Sequence, residues 1–121
     1  MANAKDGKQR RDLHERTARF GEAVIGLAKR IPVRPFTIPI IDQMVRAATS
    51  IGANYCEADD AESRKDFRHK ISLCLKESKE TKHGLPMMAA AAPELAPDAR
   101  TLWQEAKELT LIFAAICRST D

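Results

Sequence analysis

The sequence predicts an all-α fold: an antiparallel up-and-down four-helix bundle that forms one domain over residues 1–121. Apolar residues recur at intervals of three and four along most of the chain, the spacing that gathers side chains on one face of an α-helix. Strand-like alternation and hairpin dipeptides are absent, which argues against a sheet. Prolines separate the periodic stretches, and short connections between helices favour antiparallel neighbours.

The first helix is expected to begin at Arg11 or Asp12 and to end at about Lys29. Its apolar side chains repeat at alternating intervals of four and three, the pattern of a single buried face. Residues 1–11 are basic and lack this pattern, so a flexible tail is predicted there. The predicted inward residues are Leu13, Thr17, Phe20, Val24, Leu27 and Ile31.

The second helix follows a short extended connection, because Pro32 and Pro35 push the residues before them away from helical geometry. Pro39 suits a first helical turn, where a missing N–H leaves no hydrogen bond unmade. We expect this helix to run to about Ala58. Its predicted apolar face consists of Ile40, Met44, Ala47, Ala48, Ile51, Tyr55 and Ala58.

The third helix is preceded by an acidic turn at 57–62 and by Ser63, which precedes Asp66 by three residues, as in a capping box. Gly84 and Pro86 predict a stop or kink near residue 84, because a proline cannot donate a hydrogen bond to the preceding turn. The predicted inward residues are Phe67, Ile71, Cys74, Leu75, Ser78 and Leu85.

The fourth helix is expected from about Asp98 to Arg118, after Pro93 and Pro97 have enforced a loop. Its apolar residues again recur at intervals of three and four, so it closes the bundle with one buried face. The predicted inward residues are Leu102, Ala106, Leu109, Phe113 and Ile116.

The composition is that of a soluble globular protein, with 44% hydrophobic and 31% charged residues and a net charge of +3. No apolar run approaches the ~20 residues that cross a bilayer, and the N-terminus lacks the apolar core of a signal peptide. We therefore expect a cytoplasmic protein with no membrane partner. Cys56, Cys74 and Cys117 are odd in number and widely spaced, which predicts reduced, buried thiols.

A row of polar residues, here termed the polar ridge, follows the second helix beside its apolar face. Its members fall within an arc of roughly 80°, and a helix that packs only once needs no such row. We expect a subunit interface in which Arg46 of one copy meets Glu57 of the next, since the two lie about 16 Å apart along one helix. The alternative is a flank that hydrogen-bonds within the bundle. The polar ridge consists of Gln43, Arg46, Ser50, Asn54 and Glu57.

Basic residues of the third helix project within an arc of roughly 120°, here termed the helix-3 basic face. Such charges can neutralise phosphates of RNA or DNA, and the alternative is a solvated face that aids solubility. Aromatic residues make up only 5% of the chain, so we expect backbone or shape recognition instead of base-specific stacking. The helix-3 basic face consists of Lys65, Arg68, Lys76, Lys79 and Lys82.

Three patterns that resemble catalytic or metal sites are discounted. Glu80 and His83 form a single Glu-x-x-His step that points away from the core, and the three cysteines lack the short paired spacing of a zinc site. Arg64 and His69 resemble the Arg-x4-His step of helical ribonucleases of the HEPN superfamily, where the histidine would transfer protons and the arginine would stabilise phosphate. Their position at the start of the third helix and the adjacent Lys65 argue against catalysis. We expect a non-enzymatic protein without metal or cofactor.

Three motifs resemble those of the bacterial four-helix-bundle family named for proteins encoded in intervening sequences of 23S rRNA genes. They are Q-x-x-R-A-x-x-S-I-x-x-N-x-x-E at 43–57, S-x-x-D-F at 63–67 and L-K-E-x-x-E-T at 75–81. Together they cover the second helix and half of the third. Ala58 stands where the family usually has glycine, and His83-Gly84 stands where it usually has an aromatic pair.

The resemblance also implies partners. A similar superfamily includes the accessory variability proteins of diversity-generating retroelements, which are basic barrels of five subunits that engage nucleic acid and a reverse transcriptase. It thus implies a homopentamer, RNA or DNA and a reverse transcriptase as partners, and an accessory role in a retroelement or rRNA intervening sequence. The competing hypothesis is a protein-interaction scaffold whose charges serve solubility.

Overall fold

The computed structural model describes residues 4–120, with side chains from residue 7 onward. This range contains four α-helices, one short 3-10 helix and no strand, so the predicted all-α class is confirmed. The elements are α1 (Ala4–Lys29), α2 (Ile38–Asp59), α3 (Arg64–Ala91), the 3-10 helix Pro93–Leu95 and α4 (Ala96–Ser119).

Residues that pair between helices show an antiparallel, up-and-down order. As the residue number rises along one helix, the number of its partner on the neighbouring helix falls. Between α1 and α4 the contact is sparser and leaves an open groove of about 440 Å³. The pairs are His14–Asp59 and Gly21–Ala48 between α1 and α2, Met44–Gly84 and Glu57–Lys70 between α2 and α3, and Arg16–Glu105 and Arg30–Asp98 between α1 and α4.

The predicted inward faces form one continuous core. All six residues predicted to face inward from the first helix are buried, including Ile31 just beyond the end of α1, and so are those of α2 apart from the half-buried Ile40. On α3 and α4 the predicted residues at the edges of the faces, such as Phe67 and Leu102, are half-buried. The largest fully buried side chains include Phe113, Ile51, Ile71, Leu85 and Met88. Periodicity therefore predicts the core well.

The start of α1 differs from the prediction. The helix begins at Ala4, upstream of the predicted start at Arg11 or Asp12, so helical structure extends into the segment expected to be a tail. The side chains of residues 8–12 are exposed, so this turn has no buried face and leaves no periodic signal in the sequence. Residues 1–3 of that segment lie outside the described residues.

The end of α3 also differs. The sequence predicts a stop or a kink near residue 84. The helix continues through Gly84 and Pro86 to Ala91, so the prediction of a stop is wrong. Pro86 is exposed, whereas Leu85 and Met88 on either side of it are buried and anchor the helix to the core. Packing of the flanking turns thus outweighs the cost of one missing hydrogen bond.

The connections follow their predicted chemistry. The Ser63 hydroxyl accepts a hydrogen bond from the backbone N–H of Asp66 at 3.0 Å, which confirms the N-cap of α3. Between α1 and α2, the buried Thr37 hydroxyl accepts from the N–H of Arg34 and donates to the carbonyl of Pro32, each at 2.7 Å.

Across the described residues, no helix combines the length and apolarity needed to span a membrane.

Candidate nucleic-acid interface

The helix-3 basic face follows the exposed side of α3 and reaches α4 at Lys82. Lys65, Lys76 and Lys79 are exposed, as is Arg68, whereas Lys82 is half-buried. The Lys82 ammonium lies 5.8 Å from the ring centroid of Trp103 on α4, within the range of a cation–π interaction. This contact ties one end of the face to the neighbouring helix.

α4 extends this basic area with residues that sequence reasoning missed. The Lys107 ammonium lies 5.7 Å from the centroid of the same Trp103 ring. Arg100 and Trp103 line a shallow groove of about 290 Å³ between α3 and α4. Arg118 falls about 60° from Trp103 by helical geometry. We term the helix-3 basic face together with Arg100, Lys107 and Arg118 the α3–α4 basic surface.

The carboxylates of α4 lie on the opposite side of that helix, against α1. The Arg16 guanidinium donates two hydrogen bonds of 2.7 Å to Glu105 and one of 3.2 Å to Glu108. These carboxylates raise the pKa of Arg16, so the pairing keeps the guanidinium charged. Asp98 pairs with Arg30 of α1. The acidic side chains of α4 are thereby neutralised away from α3.

Two of the three carboxylates of α3 face α2. Glu80 lines a groove between α2 and α3 together with Gln43. Burial raises the pKa of Glu77, the neighbouring Glu80 adds to that rise, and the charges of Lys76 and Arg46 oppose it. The third carboxylate of α3 is that of Asp66, which lies in the first turn of the helix. The α3–α4 basic surface is therefore dominated by one sign of charge.

The polar ridge lies along the α2 edge of the groove between α2 and α3. The Ser50 hydroxyl donates to the carbonyl of Arg46 at 2.6 Å, and the Asn54 amide donates to the carbonyl of Ser50 at 2.9 Å. Glu57 pairs with Lys70 of α3 at 3.4 Å. Part of the ridge therefore bonds within the subunit, and its exposed members remain available to a second contact.

The three cysteines have different environments. Cys74 is buried, and burial raises the pKa of its thiol to about 12. Cys117 is half-buried, whereas Cys56 is exposed at the outer edge of α1 and α2, so the prediction of burial is wrong for Cys56. Within the described residues, no three histidine, cysteine or acidic side chains are placed to hold a metal ion.

The pair Arg64 and His69 lies in the first two turns of α3, and both side chains are exposed. Five positions along a helix separate two side chains by about 140°, so the two do not converge on one reacting group within the subunit. This geometry gives no support to the ribonuclease alternative.

Comparison with known proteins finds a family model and solved structures that are similar to this chain. A family model described as 23S rRNA-intervening sequence protein matches residues 10–114. The chain is also similar to the crystal structure of a protein of unknown function from the S23 ribosomal protein family of Bacteroides thetaiotaomicron. The TM-score is 0.78 at 26% identity, over 87% of this chain and 97% of that one. No curated protein matches the sequence.

Proposed function

The chain belongs to the 23S rRNA-intervening sequence protein family, and we propose that it is a non-enzymatic nucleic-acid-binding protein. The observation that carries this proposal is the α3–α4 basic surface, in which two neighbouring helices contribute cations while five of their six carboxylates turn elsewhere. The expected ligand is the phosphate backbone of RNA or DNA.

The dimensions of the surface suit a backbone ligand. From Lys65 to Lys82 the helix-3 basic face is about 26 Å long, long enough to follow several consecutive phosphates. Trp103 lies between α3 and α4 with lysine ammonium groups near its ring, so its π-system serves to position those cations. Contacts of this kind fix a protein on its ligand without selecting a base sequence.

Family membership supports the biological setting only in outline. An accessory role in a retroelement or an rRNA intervening sequence and a reverse transcriptase partner are parts of the proposal that come from the family resemblance. A cytoplasmic location is also proposed, from the composition of the chain. The neighbouring genes distinguish the two roles, because a reverse transcriptase gene would mark a retroelement and an rRNA gene would mark an intervening sequence.

We expect the double substitution Lys79→Gln and Lys107→Gln to weaken binding of a generic RNA or DNA duplex roughly tenfold or more at 0.1 M salt. Each lysine that contacts a phosphate releases about one counterion, so the slope of log affinity against log salt should become shallower by about two. Gel retardation or fluorescence anisotropy over a salt series measures both quantities.

The matched control is Lys8→Gln with Lys29→Gln, which removes the same charge from exposed positions of α1. The proposal requires this pair to leave most of the affinity and slope intact. Equal losses in both double variants would show attraction by net charge alone. No retardation of either nucleic acid at low salt would favour the protein-interaction scaffold.

A second candidate is self-assembly through the side of the subunit where α2 and α3 meet. Met87 is an exposed large apolar side chain that lines the α2–α3 groove beside Gln43 of the polar ridge. Apolar groups next to an ordered polar row are typical of an interface core and its rim. The family resemblance favours a homopentamer, assembled so that Arg46 of one subunit meets Glu57 of the next.

We expect Arg46→Glu to reduce the assembly to smaller species, because it places two acidic groups where opposite charges would meet. Within the subunit Arg46 forms an exposed pair with Asp42, worth about 0–1 kcal/mol, and its charge also acts on the partly exposed Glu77, so the fold should survive the substitution. Light scattering after size-exclusion chromatography gives the mass. Arg19→Glu, at an exposed arginine of α1, is the control, and an unchanged mass for Arg46→Glu would exclude this interface.

A further inference from the structure

Three side chains from α1 and α2 form a hydrogen-bonded series at the edge of the bundle. The Cys56 sulfur lies 3.6 Å from Nδ1 of His14, and Nε2 of the same ring lies 3.0 Å from Oδ2 of Asp59. A thiol next to an imidazole that is oriented by a carboxylate is the general arrangement of an activated nucleophile. The series is distinct from the α3–α4 basic surface.

Neighbouring groups fix the orientation of the imidazole. Its ring packs on Tyr55 with the centroids 4.6 Å apart, and Asp59 is itself held by Arg10 at 3.5 Å. A carboxylate only accepts hydrogen bonds, so in the neutral ring Nε2 donates to Asp59 and Nδ1 keeps its lone pair. That lone pair faces the Cys56 thiol and can take its proton.

The thiol is accessible and borders open space. Cys56 is exposed, in contrast with the buried Cys74. Beside it lies an open groove of about 260 Å³ between α1 and α2, large enough for a small organic group attached to the sulfur. Small side chains make this groove possible, namely Thr17, Ala18, Gly21, Gly52 and Ala53.

The backbone limits which chemistry the thiol can perform. Cys56 lies in the last turn of α2, where its own N–H is used by the helix and the helix dipole is negative. An acyl-transfer intermediate would need N–H donors for an oxyanion at this position, and the helix offers none. Attack on a disulfide develops no oxyanion, so it requires only the thiol and the base.

We propose that Cys56 is a site of reversible thiol–disulfide exchange with small disulfides, in which His14 is the base and Asp59 orients it. The thiol proton passes to Nδ1 of His14 as the sulfur attacks one sulfur of the reagent. The new sulfur–sulfur bond forms as that of the reagent breaks, and the departing thiolate takes the proton from the imidazolium. One disulfide is consumed and one is formed, so no other oxidant is needed.

The test uses the full chain and bis(2-hydroxyethyl) disulfide, an uncharged probe, with modification followed by intact-protein and peptide mass spectrometry from pH 5.5 to 8.5. We expect a mixed disulfide at Cys56 that forms about tenfold or more faster at pH 7 than in the urea-unfolded chain. His14→Gln should slow the reaction about tenfold or more at pH 7 and alter the pH dependence of its rate. Asp59→Asn should give a smaller loss and a change of the same kind.

Cys56→Ser identifies the modified residue, and the rate in urea-unfolded chain is the reference for an unassisted thiol. Circular dichroism establishes that each variant is folded. Should His14→Gln not fold, Asp59→Asn and the ratio of the wild-type rate to the unfolded-chain rate decide the question. A Cys56 rate no higher than that of the unfolded chain, or a pH dependence of the rate that His14→Gln leaves unchanged, would overturn the proposal.

Discussion

Phe113→Ala is expected to lower the free energy of unfolding by about 3–5 kcal/mol, the usual cost of truncating a fully buried phenylalanine. Phe113 on α4 has no exposed surface, and its ring packs on Tyr55 of α2 with the centroids 5.9 Å apart. Tyr55 in turn packs on His14 of α1. The substitution therefore removes a contact that links three helices, and rigid neighbours can close the cavity only in part.

Urea denaturation followed by circular dichroism measures this loss, and Leu111→Ala provides the control on the same helix. Leu111 is 60% exposed, so its truncation should change stability by no more than about 0.5 kcal/mol. A loss below about 1.5 kcal/mol for Phe113→Ala would mean that the core collapses into the vacated space, which would contradict tight packing at this position.

The sequence predicts the fold because local periodicity and burial agree in this protein. The six inward positions predicted for the first helix from spacing alone are all buried, and the helix–helix connections occur at the prolines and at the Ser63 cap. The prediction fails where the deciding contact is between helices. Gly84 is locally a helix breaker, yet it lies within α3, where it packs closely against Met44 of α2.

The candidate sites show the same division. The helix-3 basic face follows from spacing within one helix, so sequence reasoning finds it. Lys107 and Arg100 join it only because α3 and α4 pack in a particular register around Trp103, although the Trp103 and Lys107 spacing of four is visible in the sequence. His14 and Cys56 are 42 residues apart, and nothing local indicates that they meet.

Gly84→Leu is expected to lower the free energy of unfolding by about 2–3 kcal/mol, through overpacking. A Cβ atom at position 84 would lie 2.0 Å from Sδ of Met44 and 3.3 Å from its Cγ and Cε. Met44 is buried, with 3% of its surface exposed, so its side chain must leave its packed position to admit the new one. Leucine is a good helix former, so the loss would come from packing and not from helix propensity.

Gly26→Leu is the matched control, because a Cβ there has no neighbour within 4 Å and the position is exposed. We expect it to raise stability by about 0.5–1 kcal/mol, the helix-propensity gain alone. The double variant Met44→Ala with Gly84→Leu should lose less than the sum of its two single variants, since the leucine fills space that the methionine vacates. Thermal or urea unfolding gives all four values. Additive losses, or a Gly84→Leu variant as stable as wild type, would show that Met44 moves freely into the α2–α3 groove and that close packing does not require glycine at this position.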